Sequence, residues 1–142
     1  MTLGAVDILL VDDDGDVRDA ITDRLEREGY RVESCSNGLD ALEWLRGAAR
    51  LPRLILLDMM MPVMDGWHFR EEQLQDTVLA GVPLVILSAG LDPVPGRAVE
   101  RLQKPIKARD LIAVVARYCG PPSGDGRPSD ADSGARTAPG AR

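Results

Sequence analysis

The sequence predicts an α/β protein built on a doubly wound, five-stranded parallel sheet. Three observations lead there. Short apolar runs alternate with amphipathic stretches along the chain. A strand–helix order that repeats in this way requires right-handed crossovers and places helices on both faces of one sheet. The two strongest runs, residues 54–57 (LILL) and 82–87 (VPLVIL), are apolar almost throughout rather than in alternation, as strands buried on both faces are. Finally, the residues directly after three of the runs are carboxylates or a hydroxyl, at the strand ends where sheets of this kind bind ligands.

The elements follow in order. Residues 6–11 (VDILLV) read as the first buried strand. An acid-rich turn leads into a helix over residues 15–28, with Val17, Ala20, Ile21 and Leu25 spaced to share one face, and Gly29 ends it. Residues 31–36 (RVESCS) alternate and read as a less buried strand near the edge. Asn37 and Gly38 cap a second helix that turns Leu39, Leu42 and Leu45 inward, and Pro52 breaks the chain before the third strand at 54–57. Asp65 is placed to N-cap a helix running to about Leu79. The fourth strand is 82–87. The last helix spans residues 107–118, with Leu111, Ile112, Val114, Val115 and Tyr118 apolar, and Gly120 with two prolines stops it.

Length and composition bound what the chain can be. Its 142 residues suffice for one domain with a real core and not for two. Residues 120–142 contain no large apolar side chain, so they are expected to form a disordered tail after a domain over residues 1–119. The net charge is −6 and no Lys/Arg cluster is present, which argues against nucleic acid as a direct partner. Cys35 and Cys119 lack metal-ligand spacing and read as reduced packing thiols. The N-terminus lacks a signal-peptide pattern, and no run approaches the ~20 apolar residues of a membrane span, so the cytoplasm is the expected compartment.

The residues at the strand ends carry the chemistry. Strand one ends in Asp12, Asp13 and Asp14, strand three in Asp58 and strand four in Ser88, and Lys104-Pro105 precedes the last helix. Carboxylates gathered this closely cannot all remain ionised without a counter-charge. Mg²⁺ meets that need with oxygen ligands from one or two carboxylates, waters and a phosphate. An amine and a hydroxyl nearby would take the remaining phosphoryl oxygens. The set suits phosphoryl transfer to a carboxylate.

The blocks VDDD, LILLDMMMPVMDGW, VILSA and KPI, in that order and each at a strand end, resemble the response-regulator receiver family of two-component phosphorelays. The match runs from about Val6 to Cys119. The resemblance implies a flavodoxin-like receiver fold and a signalling phosphoacceptor rather than an enzyme. It implies that Asp12 and Asp13 bind Mg²⁺ with Asp58 and the backbone carbonyl of Met60. Asp58 would be the phosphoacceptor, Ser88 would hydrogen-bond the phosphoryl group, and Lys104 would ion-pair with it. The Lys104–Pro105 bond would be cis, and Ala89 would leave room for the phosphoryl group. The Pro62-x-x-Asp65-Gly66 turn would have a structural role only. The implied partners are a sensor histidine kinase or phosphotransfer protein and an unknown downstream protein, with neither nucleic acid nor membrane.

Other readings compete. Asp14 and Asp16 read as a solvated first helical turn favoured by the helix dipole rather than as metal ligands. Asp12-x-Asp14-x-Asp16 resembles the start of an EF-hand loop, but Val17 stands where glycine is needed and no closing Glu follows. Asp12-x-Asp14-Gly15 also resembles the first motif of haloacid-dehalogenase-type phosphatases, in which Asp12 would be the nucleophile. That reading leaves the Asp58 block unexplained and lacks a later acidic pair. A pseudo-receiver, keeping the fold without the chemistry, is a further alternative. His68, Trp44 and Trp67 read as an exposed helical histidine and two partly buried packing residues.

The chain departs from the family between Ser88 and Lys104. The fifteen residues 89–103 are fewer than the roughly 20 that a helix, a strand and two connections need. Pro93, Pro95 and Gly96 are poor helix material. The helix expected there is therefore shortened to a turn or two, or missing. Three positions before the lysine, where the family usually has an aromatic that swings inward on phosphorylation, this chain has Arg101. The usual coupling of phosphorylation to output is thus expected to be altered or lost.

Overall fold

The computed structural model describes residues 5–90 and 100–122. The elements are β1 (Ile8–Val11), α1 (Gly15–Arg27), β2 (Val32–Cys35), α2 (Gly38–Gly47), β3 (Leu54–Asp58), α3 (Gly66–Gln75), β4 (Leu84–Ser88), β5 (Glu100–Gln103) and α4 (Ala108–Cys119). The five strands form one parallel sheet in the order β2-β1-β3-β4-β5. The predicted doubly wound sheet is present. The shortened helix was expected within a segment of which residues 91–99 lie outside the described residues, and so do residues 123–142 of the expected tail. The domain boundary expected after residue 119 falls at the end of α4.

Side chains alternate across a strand, so each central strand feeds two cores. Ile8, Leu10, Leu54, Leu56, Val85 and Leu87 point to one face, where Ile21 and Leu25 of α1 and Leu111, Val114 and Val115 of α4 cover them. Leu9, Val11, Ile55, Leu57, Leu84 and Ile86 point to the other, under Leu42 and Leu45 of α2 and Phe69 of α3. This double burial is the physical reason that β1, β3 and β4 read as continuous apolar runs. The partly exposed pattern of β2 matches its place at the sheet edge.

Local polar groups set the helix ends. Asp14, Asn37 and Asp65 N-cap α1, α2 and α3, each side chain accepting from backbone N–H groups of its first turn. Gly120, at φ +69°, closes α4. Gly66 starts α3 against β3, and a Cβ there would lie 2.5 Å from Met59 Sδ and 2.7 Å from Met59 Cα, so only glycine fits.

Some expectations are corrected. α3 stops at Gln75 rather than near Leu79, because the Asp76 carboxylate accepts from the N–H groups of Val78 and Leu79 at 3.0 and 3.2 Å and turns the chain. Leu39 is exposed rather than inward, and Ala20 lies outside the buried face of α1. The first strand begins at Ile8, with Asp7, itself buried, accepting from Arg31 N–H at 2.8 Å. Cys35 and Cys119 are free thiols.

α3 also holds a polar pair in the core. Gln73 has no exposed surface, and its amide donates to the carbonyls of Leu79 and Val82, both at 3.1 Å, while its oxygen accepts from Arg70 at 2.8 Å. This network carries the chain from α3 into β4.

Candidate functional site

Register brings the site together. Val11 pairs with Leu57 across β1 and β3, so the next residues, Asp12 and Asp58, leave adjacent strands at the same level. Asp58 pairs in turn with Leu87, and the Lys104 N–H donates to the Ser88 carbonyl at 2.9 Å. β1 and β3 flank the point where the winding reverses, since the chain moves outward from β1 to β2 and returns to β3. An open α/β sheet binds ligands there.

Asp12, Asp13 and Asp58 each offer a carboxylate oxygen within 4.8 Å of the others. Asp12 has no exposed surface and Asp58 is buried, whereas Asp13 is exposed. Lys104 joins the buried pair, its Nζ lying 3.1 Å from Asp12 Oδ2 and 3.4 Å from Asp58 Oδ1. The Lys104–Pro105 peptide is cis, as expected. Asp12 is fixed further by the Asp14 N–H, which donates to its Oδ1 at 2.9 Å. The Met60 N–H approaches Asp58 Oδ1 at 3.4 Å.

Burial and the neighbouring Asp12 charge push the Asp58 carboxyl up to about 6, against the opposing pull of Lys104 and the Met60 N–H. Lys104 is held above the usual lysine range: burial works against its charge, but its bond to Asp12 and the charges of Asp12 and Asp58 outweigh that. Three carboxylates around one ammonium leave the cluster short of positive charge. Three carboxylates with no sulfur or imidazole among them form a hard oxygen set, which fits a divalent cation such as Mg²⁺.

Asp13 and Asp58 open into a cleft of about 610 Å³, lined also by Trp67, Ser88, Ala89, Gly90 and Lys104, while Asp12 is buried. Ser88 stands on the cleft, but its hydroxyl donates to the Gly90 carbonyl at 2.8 Å and accepts from the Gly90 N–H at 2.9 Å. To donate to another group it must give up the bond to the Gly90 carbonyl. The Gln103 amide donates to the Ala89 carbonyl at 3.2 Å, tying the same turn to β5. Met60 is 70% exposed at the cleft mouth, so its side chain is free to vary while its backbone stays at the site.

Asp14 caps α1 instead of joining the cluster, in line with its expected role. His68 is exposed and bonds Asp65 at 2.9 Å, which raises its pKa. Trp67, expected to be a packing residue, is partly buried but also lines the cleft, and nothing in its local sequence marks that role. Arg18 is a second residue of the site that the sequence did not signal: its guanidinium donates to the Asp12 backbone carbonyl at 2.8 Å. A distance of six residues between an arginine and a main-chain carbonyl leaves no compositional trace.

Comparison with known proteins agrees with this geometry. The model of the response regulator receiver domain matches residues 8–116. An uncharacterised 14.6 kDa protein of Leptolyngbya boryana is 36% identical over 128 residues, covering 83% of this chain and 93% of that protein. The CpxR homolog of Haemophilus influenzae, a transcriptional regulatory protein, is 37% identical over 114 residues, covering 76% of this chain and 48% of that protein. The response regulator Rre1 of Synechocystis is 34% identical over 117 residues, covering 78% of this chain and 50% of that protein, so the chain spans about half the length of these two regulators. Among solved structures, the chemotaxis protein CheY4 of Vibrio cholerae superposes with a TM-score of 0.71 at 26% identity, over 81% of this chain and 99% of that one. The receiver domain of a sensor histidine kinase from Pseudomonas aeruginosa, which has a magnesium ion coordinated in its active-site cleft, gives 0.71 at 26% identity, over 82% of this chain and 99% of that one. Among the described residues, no helix is long and apolar enough to cross a membrane. The chain belongs to the response regulator receiver domain family.

Proposed function

We propose that this receiver domain is a phosphoacceptor: it takes a phosphoryl group from a phosphohistidine onto Asp58 and signals in the cytoplasm through protein–protein contacts. The observation that carries the proposal is the joint hold of Lys104 on Asp12 and Asp58 beside the exposed Asp13. The nucleophile, the exposed acidic ligand and a fixed cation line one open cleft, and the second acidic ligand, Asp12, is buried beside them.

The residues divide the work. Asp12, Asp13 and Asp58, with the Met60 backbone carbonyl, would hold Mg²⁺. When bound, Mg²⁺ neutralises charge on the phosphoryl oxygens and on the carboxylates. Asp58, ionised in most molecules above about pH 6, supplies the attacking oxygen. The bond between phosphorus and the donor nitrogen breaks, and its electron pair stays on the imidazole. Lys104 keeps its charge throughout and pairs with the acyl phosphate. Ser88 gives up Gly90 to donate to a phosphoryl oxygen. Ala89, exposed and small beside it, keeps the approach open.

Incubation with acetyl phosphate and Mg²⁺, followed by intact-mass measurement, tests this reading. The expected product is an acid-stable, base-labile gain of one phosphoryl group that Asp58→Asn lacks. Absence of any adduct supports a pseudo-receiver. Turnover of phosphate esters that depends on Asp12 supports a phosphatase.

A further inference from the structure

We infer that Arg18 is a positioning residue of the metal and phosphoryl site, acting through the main chain of the acidic loop. The inference rests on the proposed function and extends it to a residue outside the strand-end motifs. Arg18 sits in the first turn of α1, where its own N–H donates to the Asp14 carbonyl at 2.9 Å. From there its guanidinium reaches back to the Asp12 carbonyl at 2.8 Å. It directs this bond to a main-chain oxygen although Asp14, Asp16 and Asp19 are close in sequence.

The consequence concerns Asp13. Asp12 is fixed from several sides: its N–H donates to the Cys35 carbonyl at 3.1 Å, its Oδ1 accepts from Asp14 N–H at 2.9 Å, and its Oδ2 accepts from Lys104 at 3.1 Å. Asp13 is the exposed ligand. Its direction depends on the peptide joining it to Asp12, and the carbonyl of that peptide is the one Arg18 holds. Releasing the carbonyl lets the peptide plane rotate and carries the Asp13 carboxylate away from Asp12 and Asp58. The guanidinium also stands beside Gly15, with Nη2 3.6 Å from where a Cβ on that residue would lie. Groups that orient a metal ligand in this way affect affinity without touching the ion.

Arg18→Met keeps the stem and removes the donors, and Arg18→Lys restores a donor. Mg²⁺ binding to the full chain is measured by calorimetry, and the melting temperature is measured in EDTA. The expected result is a loss of Mg²⁺ affinity of about tenfold or more in Arg18→Met. Most of it should return in Arg18→Lys, and both variants should melt in EDTA close to the unmodified protein. Unchanged affinity in Arg18→Met overturns the inference. So does equal weakening in the two variants, or a loss of affinity that only tracks a loss of melting temperature. If the unmodified chain binds no Mg²⁺, the functional reading fails first and this inference falls with it.

Discussion

Lys104 Nζ stands 3.1 Å from Asp12 Oδ2, a carboxylate with no exposed surface, and the same ammonium lies 3.4 Å from Asp58. One cation thus offsets two buried acids. Removing one partner of a buried ion pair leaves an uncompensated charge, which costs more than the pair itself contributes. Lys104→Met is expected to lose about 2–4 kcal/mol of stability in EDTA at neutral pH. Saturating Mg²⁺ should recover a large part of the loss, because the ion supplies the missing positive charge. Urea denaturation with and without Mg²⁺ checks both parts, and a loss that Mg²⁺ leaves untouched would mean that Lys104 serves packing alone.

The acidity of Asp58 sets a pH dependence of the opposite sense to that of most carboxylates. Its folded-state value of about 6 lies above the ordinary 3.8, so the folded chain holds this proton more tightly than the unfolded chain does. The resulting stabilisation is complete below the ordinary value and is lost as pH rises through about 6. Metal-free protein should therefore lose stability between about pH 3.8 and 6, by about 1–3 kcal/mol from this residue. Asp58→Asn should flatten that slope and be the more stable protein in EDTA at pH 7.5. Paired denaturation curves across this range provide the check.

Val63 adopts φ +68°, in the left-handed region, on the turn that follows β3. A β-branched side chain is strained there, and its side chain is 77% exposed, so packing gains little from it. Val63→Gly or Val63→Asn should stabilise the domain by about 0.5–1 kcal/mol. A thermal melt that falls rather than rises would contradict the strain.

Gln73 closes the turn from α3 to β4. Gln73→Leu keeps the volume but leaves the carbonyls of Leu79 and Val82 without its amide and removes the oxygen that Arg70 donates to at 2.8 Å. The expected cost is about 2–3 kcal/mol, since buried polar groups lose partners without gaining water. Chemical denaturation of the variant measures it.

The sequence announced the site better than it announced its supports. Asp12, Asp13, Asp58, Ser88 and Lys104 were legible because strands buried on both faces are easy to find, and parallel register then delivers the following residues to one edge. The second and third helices begin directly after the caps that the sequence marks, Asn37 and Asp65. What stayed hidden depends on tertiary context. Nothing in the sequence marks Arg70 and Gln73 as buried, because composition does not tell a solvated polar side chain from one satisfied in a core. The end of α3 was missed because Val78 and Leu79 continue an apolar pattern, while a side chain–backbone bond from Asp76 decides the turn. The Ser88 hydroxyl bonds Gly90, an arrangement set by the local turn that its sequence does not mark. Arg18 carries no sequence signal for the same kind of reason, since a bond to a main-chain carbonyl depends on no particular residue type at its partner.

The proposed function places the phosphoryl group on Asp58, in a site that Asp12 and Asp13 complete with Mg²⁺. Phosphorylation by phosphoramidate, followed by peptide mapping with Mg²⁺ present or removed by EDTA, tests it most directly. One modified peptide is expected, the one containing Asp58, formed with Mg²⁺ and nearly absent in EDTA. A stable adduct on Asp12 or Asp13, or an Asp58 adduct formed equally well without the metal, would contradict it.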